Sequence, residues 1–233
     1  MCQDLIEKNK AEQLQSSDKT GIENERISGV HVYVARAPFA VEDEKIVPVE
    51  RAEEIAGCTN SEVRRQKFYA WKLLEKALLN SFGLKIEELK ITRSENGKWE
   101  CPLLSFSLSH SGDMVAVAVS GKPIGVDIEK RDLSRFTDAL AEKTVTKSEE
   151  EALSRLSNDR AAALNALWTK KEAIFKLSGG KSFQPKRIET AEYTTVTKLV
   201  QSATERYFIT VASEDAERAK FHGDGLEFID CKL

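Results

Sequence analysis

Histidine is scarce in this 233-residue chain, with 3 copies, and its 4 cysteines, Cys2, Cys58, Cys101 and Cys231, are scattered. No two of them stand at the close spacing of a zinc knuckle or a redox motif, so a cysteine-built metal site is excluded and the thiols are expected to be free. Proline and glycine are few, 5 and 12, and neither forms a linker or a low-complexity block. No segment approaches the roughly 20 apolar residues of a membrane span. The start, Met1-Cys-Gln-Asp-Leu-Ile-Glu-Lys8, has no apolar stretch for a signal peptide. A cytoplasmic protein without membrane contact is therefore expected. An excess of positive charge is missing as well: the net charge of −3 argues against a general nucleic-acid binder. Neither the Gly-x-x-x-x-Gly-Lys-Ser/Thr loop nor a dinucleotide fingerprint occurs, so the common phosphate cradles are absent.

What is present reads as an α+β chain. Residues 1–26 are polar with weak periodicity and are expected to be a loose tail. Gly29 to Ala35 alternates Val30, Val32 and Val34 with His31 and Tyr33, the pattern of a half-buried strand. Asn60 is placed to cap a long helix with an apolar stripe through Trp71, Leu74, Leu78 and Phe82, and Gly83 to end it. The other face of that helix carries Arg64, Arg65, Lys67 and Lys72, which by composition alone is an ordinary solvated face. A strand near Leu89 to Arg93, a turn at Asn96-Gly97, and extended runs over Ser105 to Leu108 and Met114 to Ser120 follow, with Ser109 to Gly112 as the turn between the last two. Helices then dominate until Ser178-Gly179-Gly180, and the chain closes on strands near Tyr193 to Val200, Arg206 to Ala212 and Leu226 to Cys231. Each half sets a long helix beside short antiparallel strands, so two similar α/β lobes are expected, over residues 27–121 and 122–233.

Two segments carry chemistry. In Gly125-Val-Asp-Ile-Glu-Lys130 the acids Asp127 and Glu129 alternate with Val126 and Ile128, so a strand points both carboxylates to one face. In Trp168-Thr-Lys-Lys-Glu-Ala-Ile-Phe-Lys176, Glu172 and Lys176 are four apart and share a helix face with Trp168. Taken singly, each has a plain explanation, an edge strand facing water or a helical ion pair. Taken together, if helix meets strand, three oxygen-donor carboxylates converge without cysteine or histidine. Such a set suits Mg²⁺ completed by substrate phosphates.

Leu108-Ser-His-Ser-Gly112, Gly125-Val-Asp-Ile-Glu129 and Trp168 to Lys176 resemble, in order and separation, the signature segments of 4′-phosphopantetheinyl transferases of the pseudo-dimeric type that activates surfactin-like synthetases. The resemblance runs from about Arg64 to Ser182. It implies two lobes related by a pseudo-two-fold, acting as a monomer, with coenzyme A as co-substrate and Mg²⁺ as cofactor in the cleft between them. It implies transfer of 4′-phosphopantetheine to a serine of an acyl or peptidyl carrier protein, with release of adenosine 3′,5′-bisphosphate. Asp127, Glu129 and Glu172 then match the metal ligands, Glu172 the group that takes the serine proton, and Lys176 the cation beside the leaving phosphate. Ser109, His110, Lys98, Lys72 and Arg65 match positions that hold coenzyme A. Trp99 stands where the family has proline after that lysine, which alters the expected loop. Two other readings stay open: a non-catalytic carrier-binding protein of the same fold, and a different Mg²⁺-dependent phosphotransferase acting on a nucleotide.

Overall fold

The computed structural model describes residues 27–38, 45–155 and 159–231; the expectation for residues 1–26 lies outside them. Strand β1 (Val30–Arg36) is followed by helices α1 (Val49–Ala56) and α2 (Ser61–Phe82). The side chain of Asn60 accepts hydrogen bonds from the N–H groups of Glu62 and Val63, a cap worth about 1 kcal/mol. Gly83 ends the helix with a φ of 65°, a left-handed conformation that glycine adopts without strain. The face between these signals buries Phe68, Trp71, Leu74 and Leu78. Each contributes about 1.5–3 kcal/mol of apolar burial.

A small hairpin follows, β2 (Thr92–Arg93) and β3 (Trp99–Glu100), and then β4 (Ser105–Ser111), β5 (Met114–Ser120) and β6 (Gly125–Lys130). Helices α3 (Asp138–Thr144), α4 (Lys147–Ser154) and α5 (Arg160–Ser178) lead to β7 (Thr195–Gln201), β8 (Arg206–Ala212), β9 (Lys220–His222) and β10 (Glu227–Asp230). The strands build two four-stranded sheets, ordered β4-β5-β1-β9 and β10-β7-β8-β6. Among the described residues only the β1–β9 pairing is parallel; the others are antiparallel.

The period of two along each strand decides what lies between the layers. Val30, Val32, Val34, Met114, Ala116 and Ala118 of the first sheet share one core with Val126, Ile128, Ile209 and Val211 of the second. The opposite faces take the helices: Val115, Val117 and Val119 pack with α2, while Phe208 packs with Ala162 and Ala166 of α5 and Ala212 with Ala173 and Ile174. Each half of the chain thus sets one long helix against one sheet. The halves are joined more closely than the expected division at residue 121 suggests, because β9 crosses over to pair with β1.

The turn expected over Ser109 to Gly112 is strand as far as Ser111. Strand β4 continues to Ser111, and the reversal falls at Gly112 (φ 53°) and Asp113. The reason is a ladder of side chains. The hydroxyls of Ser105, Ser107, Ser109 and Ser111 accept the backbone N–H groups of Ile124, Val126, Ile128 and Lys130 at 3.2, 3.0, 3.2 and 3.0 Å. Strand β6 is the edge of the second sheet, so its outward N–H groups need partners once buried. Alternate serines supply them, and the alternation holds β4 extended. The strand expected over Leu89 to Arg93 is shorter than read, because Ile86–Glu88 forms a 3₁₀ turn.

Candidate active site between strand β6 and helix α5

Helix α5 lies directly on β6, and glycine allows it. A Cβ on Gly125 would stand 2.0 Å from the Ala173 carbonyl oxygen and 2.6 Å from the Leu177 nitrogen. The close approach sets Lys176 beside Asp127. Oδ1 of Asp127 accepts hydrogen bonds from Lys176 Nζ and from Ser109 Oγ, both at 2.7 Å. The same ammonium also donates to Ser109 Oγ at 2.9 Å and lies 4.0 Å from Glu172. The third rung of the serine ladder is therefore also the rung that fixes the acid. Trp168, a turn before Glu172, is part-buried, with Phe183 edge-on at 5.4 Å.

Asp127 is 3% exposed, and its Oδ2 is a buried atom with no hydrogen-bond partner. Glu129 pairs with Arg135 at 2.6 Å, yet burial outweighs that cation and raises its carboxyl above the usual range. Glu172 is pushed up to about 7, first by burial and then by the charge of Asp127, with Lys176 opposing. The three expected ligands are thus near enough to feel one another, but they do not form a cage. Among the described residues no three histidine, cysteine or acidic side chains stand together at metal-holding distance. The convergence expected from the sequence is corrected to that extent, and the cause is electrostatic. Like charges in a low-dielectric site repel, and each acid turns to the nearest cation, Asp127 to Lys176 and Glu129 to Arg135. The donor set still fits a hard divalent cation: oxygen ligands only, one of them a buried carboxylate oxygen left without a partner.

Lys176 connects these acids to a cleft of about 320 Å³ between the two halves. Arg51, Lys67, Lys98 and Lys176 border it against one carboxylate, Glu54, a balance suited to phosphates. Burial alone would raise Glu54, but hydrogen bonds from Lys67, Trp99 and Arg51 outweigh it and hold the carboxyl at about 2. Arg51 is 5% exposed, lies 4.8 Å over the ring of Trp71, and leaves its Nε without a partner. His110 is held near 4 by burial and by the cations Lys176, Lys67 and Arg51, so its imidazole is neutral at neutral pH. A larger hollow of about 860 Å³ lies on the far side, between β1, α2 and the β9–β10 turn. None of the acids borders it, and the smaller cleft is the one joined to the chemistry.

Of the residues expected to hold coenzyme A, His110, Lys98 and Lys176 border the cleft, and Ser109 supports it from behind. Arg65 and Lys72 do not border it. Arg65 is turned inward to the Ala37 carbonyl (2.8 Å) and Asp113 (2.9 Å), where it ties α2 to the β4–β5 turn. Lys72 pairs with Glu75 on its own helix. The cation that α2 offers to the cleft is Lys67. Arg51 and Glu54 were not singled out by the sequence reading, because their partners lie on other elements and no local spacing marks them.

Comparison with known proteins points to one family. The family described as the 4′-phosphopantetheinyl transferase superfamily matches residues 123–224, the stretch that holds Asp127, Glu129, Glu172 and Lys176. The 4′-phosphopantetheinyl transferase psf-1 of Bacillus pumilus is 33% identical over 46% of this chain and 47% of its own length. A 4′-phosphopantetheinyl transferase of Bacillus subtilis is 28% identical over 64% and 68%, and that named gsp of Aneurinibacillus migulanus 30% over 48% and 48%. The chain thus matches about half the length of two of these relatives and about two thirds of the third. The acids and the lysine that β6 and α5 bring together thus lie within the stretch, residues 123–224, that is similar to the 4′-phosphopantetheinyl transferase superfamily.

Proposed function

We propose that the protein transfers 4′-phosphopantetheine from coenzyme A to a serine hydroxyl of an acyl or peptidyl carrier protein and releases adenosine 3′,5′-bisphosphate. The observation that carries this reading is the unpartnered, buried Oδ2 of Asp127, whose other carboxylate oxygen binds Lys176, a lysine that borders a cleft with four cations. Asp127, Glu129 and Glu172 would hold Mg²⁺, which when bound supplies charge neutralisation to the pyrophosphate. The remaining work belongs to the chain. Glu172, raised to about 7 by burial and by Asp127 in the metal-free chain, would be held ionised beside a divalent cation and so be able to accept a proton. It takes the proton as the serine oxygen forms its bond to the phosphorus that bears pantetheine. The bond from that phosphorus to the nucleotide side breaks, and Lys176 stabilises the charge that grows on the leaving phosphate. Lys67, Arg51 and Lys98 hold the nucleotide phosphates in the cleft, and neutral His110 offers a hydrogen bond without adding charge. Ser109 positions Asp127 and Lys176. We further propose that the chain acts as a cytoplasmic monomer. Among the described residues, no helix is long and apolar enough to cross a membrane.

The test is the intact mass of an apo carrier protein after incubation with the enzyme, coenzyme A and Mg²⁺, beside Glu172→Gln and metal-free controls. A gain of one phosphopantetheine, lost in both controls, supports the reading. No gain with several carriers and folded enzyme refutes it.

A further inference from the structure

The β2–β3 hairpin belongs to neither four-stranded sheet, and a two-stranded hairpin is marginal on its own. Two anchors hold it. On one side Trp99 is buried, edge-on to Trp71 at 5.5 Å, with its indole N–H donated to Glu54 at 2.9 Å. On the other side the tip reaches across to the second half of the molecule. Asn96 Nδ2 donates to the Gly179 carbonyl at 2.9 Å, and Lys98 Nζ donates to the Lys176 carbonyl at 2.9 Å. Both carbonyls sit at the end of α5, where a helix leaves its last carbonyls without donors of its own. One turn of chain therefore completes the helix that carries Glu172 and Lys176, and all four of these bonded residues border the cleft.

We propose that the hairpin tip is a strap across the cleft and that Asn96 is a positioning residue, fastening the strap to α5 and so keeping Lys176 in register with Asp127 and Ser109. The strap goes beyond the transfer reaction and does not depend on coenzyme A being the ligand. Lys176 is held twice, by Lys98 at its carbonyl and by Asp127 and Ser109 at its ammonium. Release of the tip frees the last turn of the helix and widens the cleft in one motion. Ligand entry is thereby coupled to the register of the lysine through Asn96.

The Asn96-Gly97 pair gives a clean test. Gly97 has a φ of 79°, and Asp-Gly forms such hairpin turns as readily as Asn-Gly. Asn96→Asp thus keeps the turn and removes the donor but adds a charge, so Asn96→Ala, which removes the donor without one, is read beside it and must show the same change. Hydrogen exchange of segments 92–100 and 173–180 is compared in wild type and variant, with and without coenzyme A, and KM and kcat are measured beside it. The expected result is exchange roughly 3- to 10-fold faster in both segments together, the equilibrium value of one modest hydrogen bond. kcat falls by a similar factor as Lys176 loses its register, and KM for coenzyme A rises with it. Unchanged exchange in 173–180, or acceleration spread evenly over the chain, overturns the proposal. If coenzyme A fails to slow exchange in the wild type while the variant still speeds it, the ligand assignment falls and the strap stands.

Discussion

At the scale of single residues, Glu172 and Glu129 are held in states that water would not favour, and each can be interrogated alone. Glu172 has its carboxyl raised to about 7 by burial and by Asp127. A carboxyl raised on folding imposes no penalty below about pH 4.5, where it is protonated in both states. It costs stability increasingly as pH climbs towards 7 and levels off above. In chelator, Glu172→Gln should therefore melt with the wild type at pH 4 and higher than it at pH 8, by at least about 2 °C for a chain of this size. Equal melting at both values would show that the carboxyl is not under strain. Arg135, whose side chain is largely exposed, occupies the carboxylate of Glu129 and competes with any cation there. Removing it in Arg135→Ala should tighten Mn²⁺ binding, followed by electron paramagnetic resonance, by roughly 3- to 10-fold, the effect of one partly exposed ion pair. Weaker binding in the variant would make Arg135 an aid to the site instead. These acids were legible in the sequence because period two on a strand and period four on a helix announce which side chains share a face. Arg51 and Glu54 were not, since their meaning comes from Trp99 and Lys67 on other elements.

At the scale of elements, local signals carried far. Asn60, Gly83 and Gly179 stand at the ends of α2 and α5 as the sequence implied, because capping needs only neighbouring backbone. The serines of β4 misled for a physical reason. A run of alternate serines reads as a wet face or a turn, yet here the hydroxyls are spent on N–H groups of another strand, and Ser107 is 5% exposed. Ser107→Ala should leave the Val126 N–H buried without a partner and lower stability by about 1–3 kcal/mol in chemical denaturation. A loss below 0.5 kcal/mol, on the order of a surface substitution, would show that the ladder is dispensable. The three residues of β9 were missed because so short a segment shows no period at all.

At the scale of the whole molecule, the charge is −3, while the cleft gathers four cations around Glu54. The local field is thus opposite to the global one, and it acts over about a Debye length. kcat/KM for coenzyme A should fall several-fold between low and physiological salt, and Lys67→Ala should lower it about 10-fold while flattening that dependence. An identical salt response in the variant would remove Lys67 from the phosphate site. The plan of one long helix beside antiparallel strands in each half was readable from the order of the segments. The shared core was not, because which sheet face meets which is decided by contacts between distant segments.

The seam between β4 and β6 then says where the two halves are held together. Four hydroxyls bind the two halves along that edge, and one of the same four fixes Asp127 and Lys176. The seam is a spine: a turn of one half against the other is resisted along it, and the acids, lying beside that line, have the shortest lever of any group in the site.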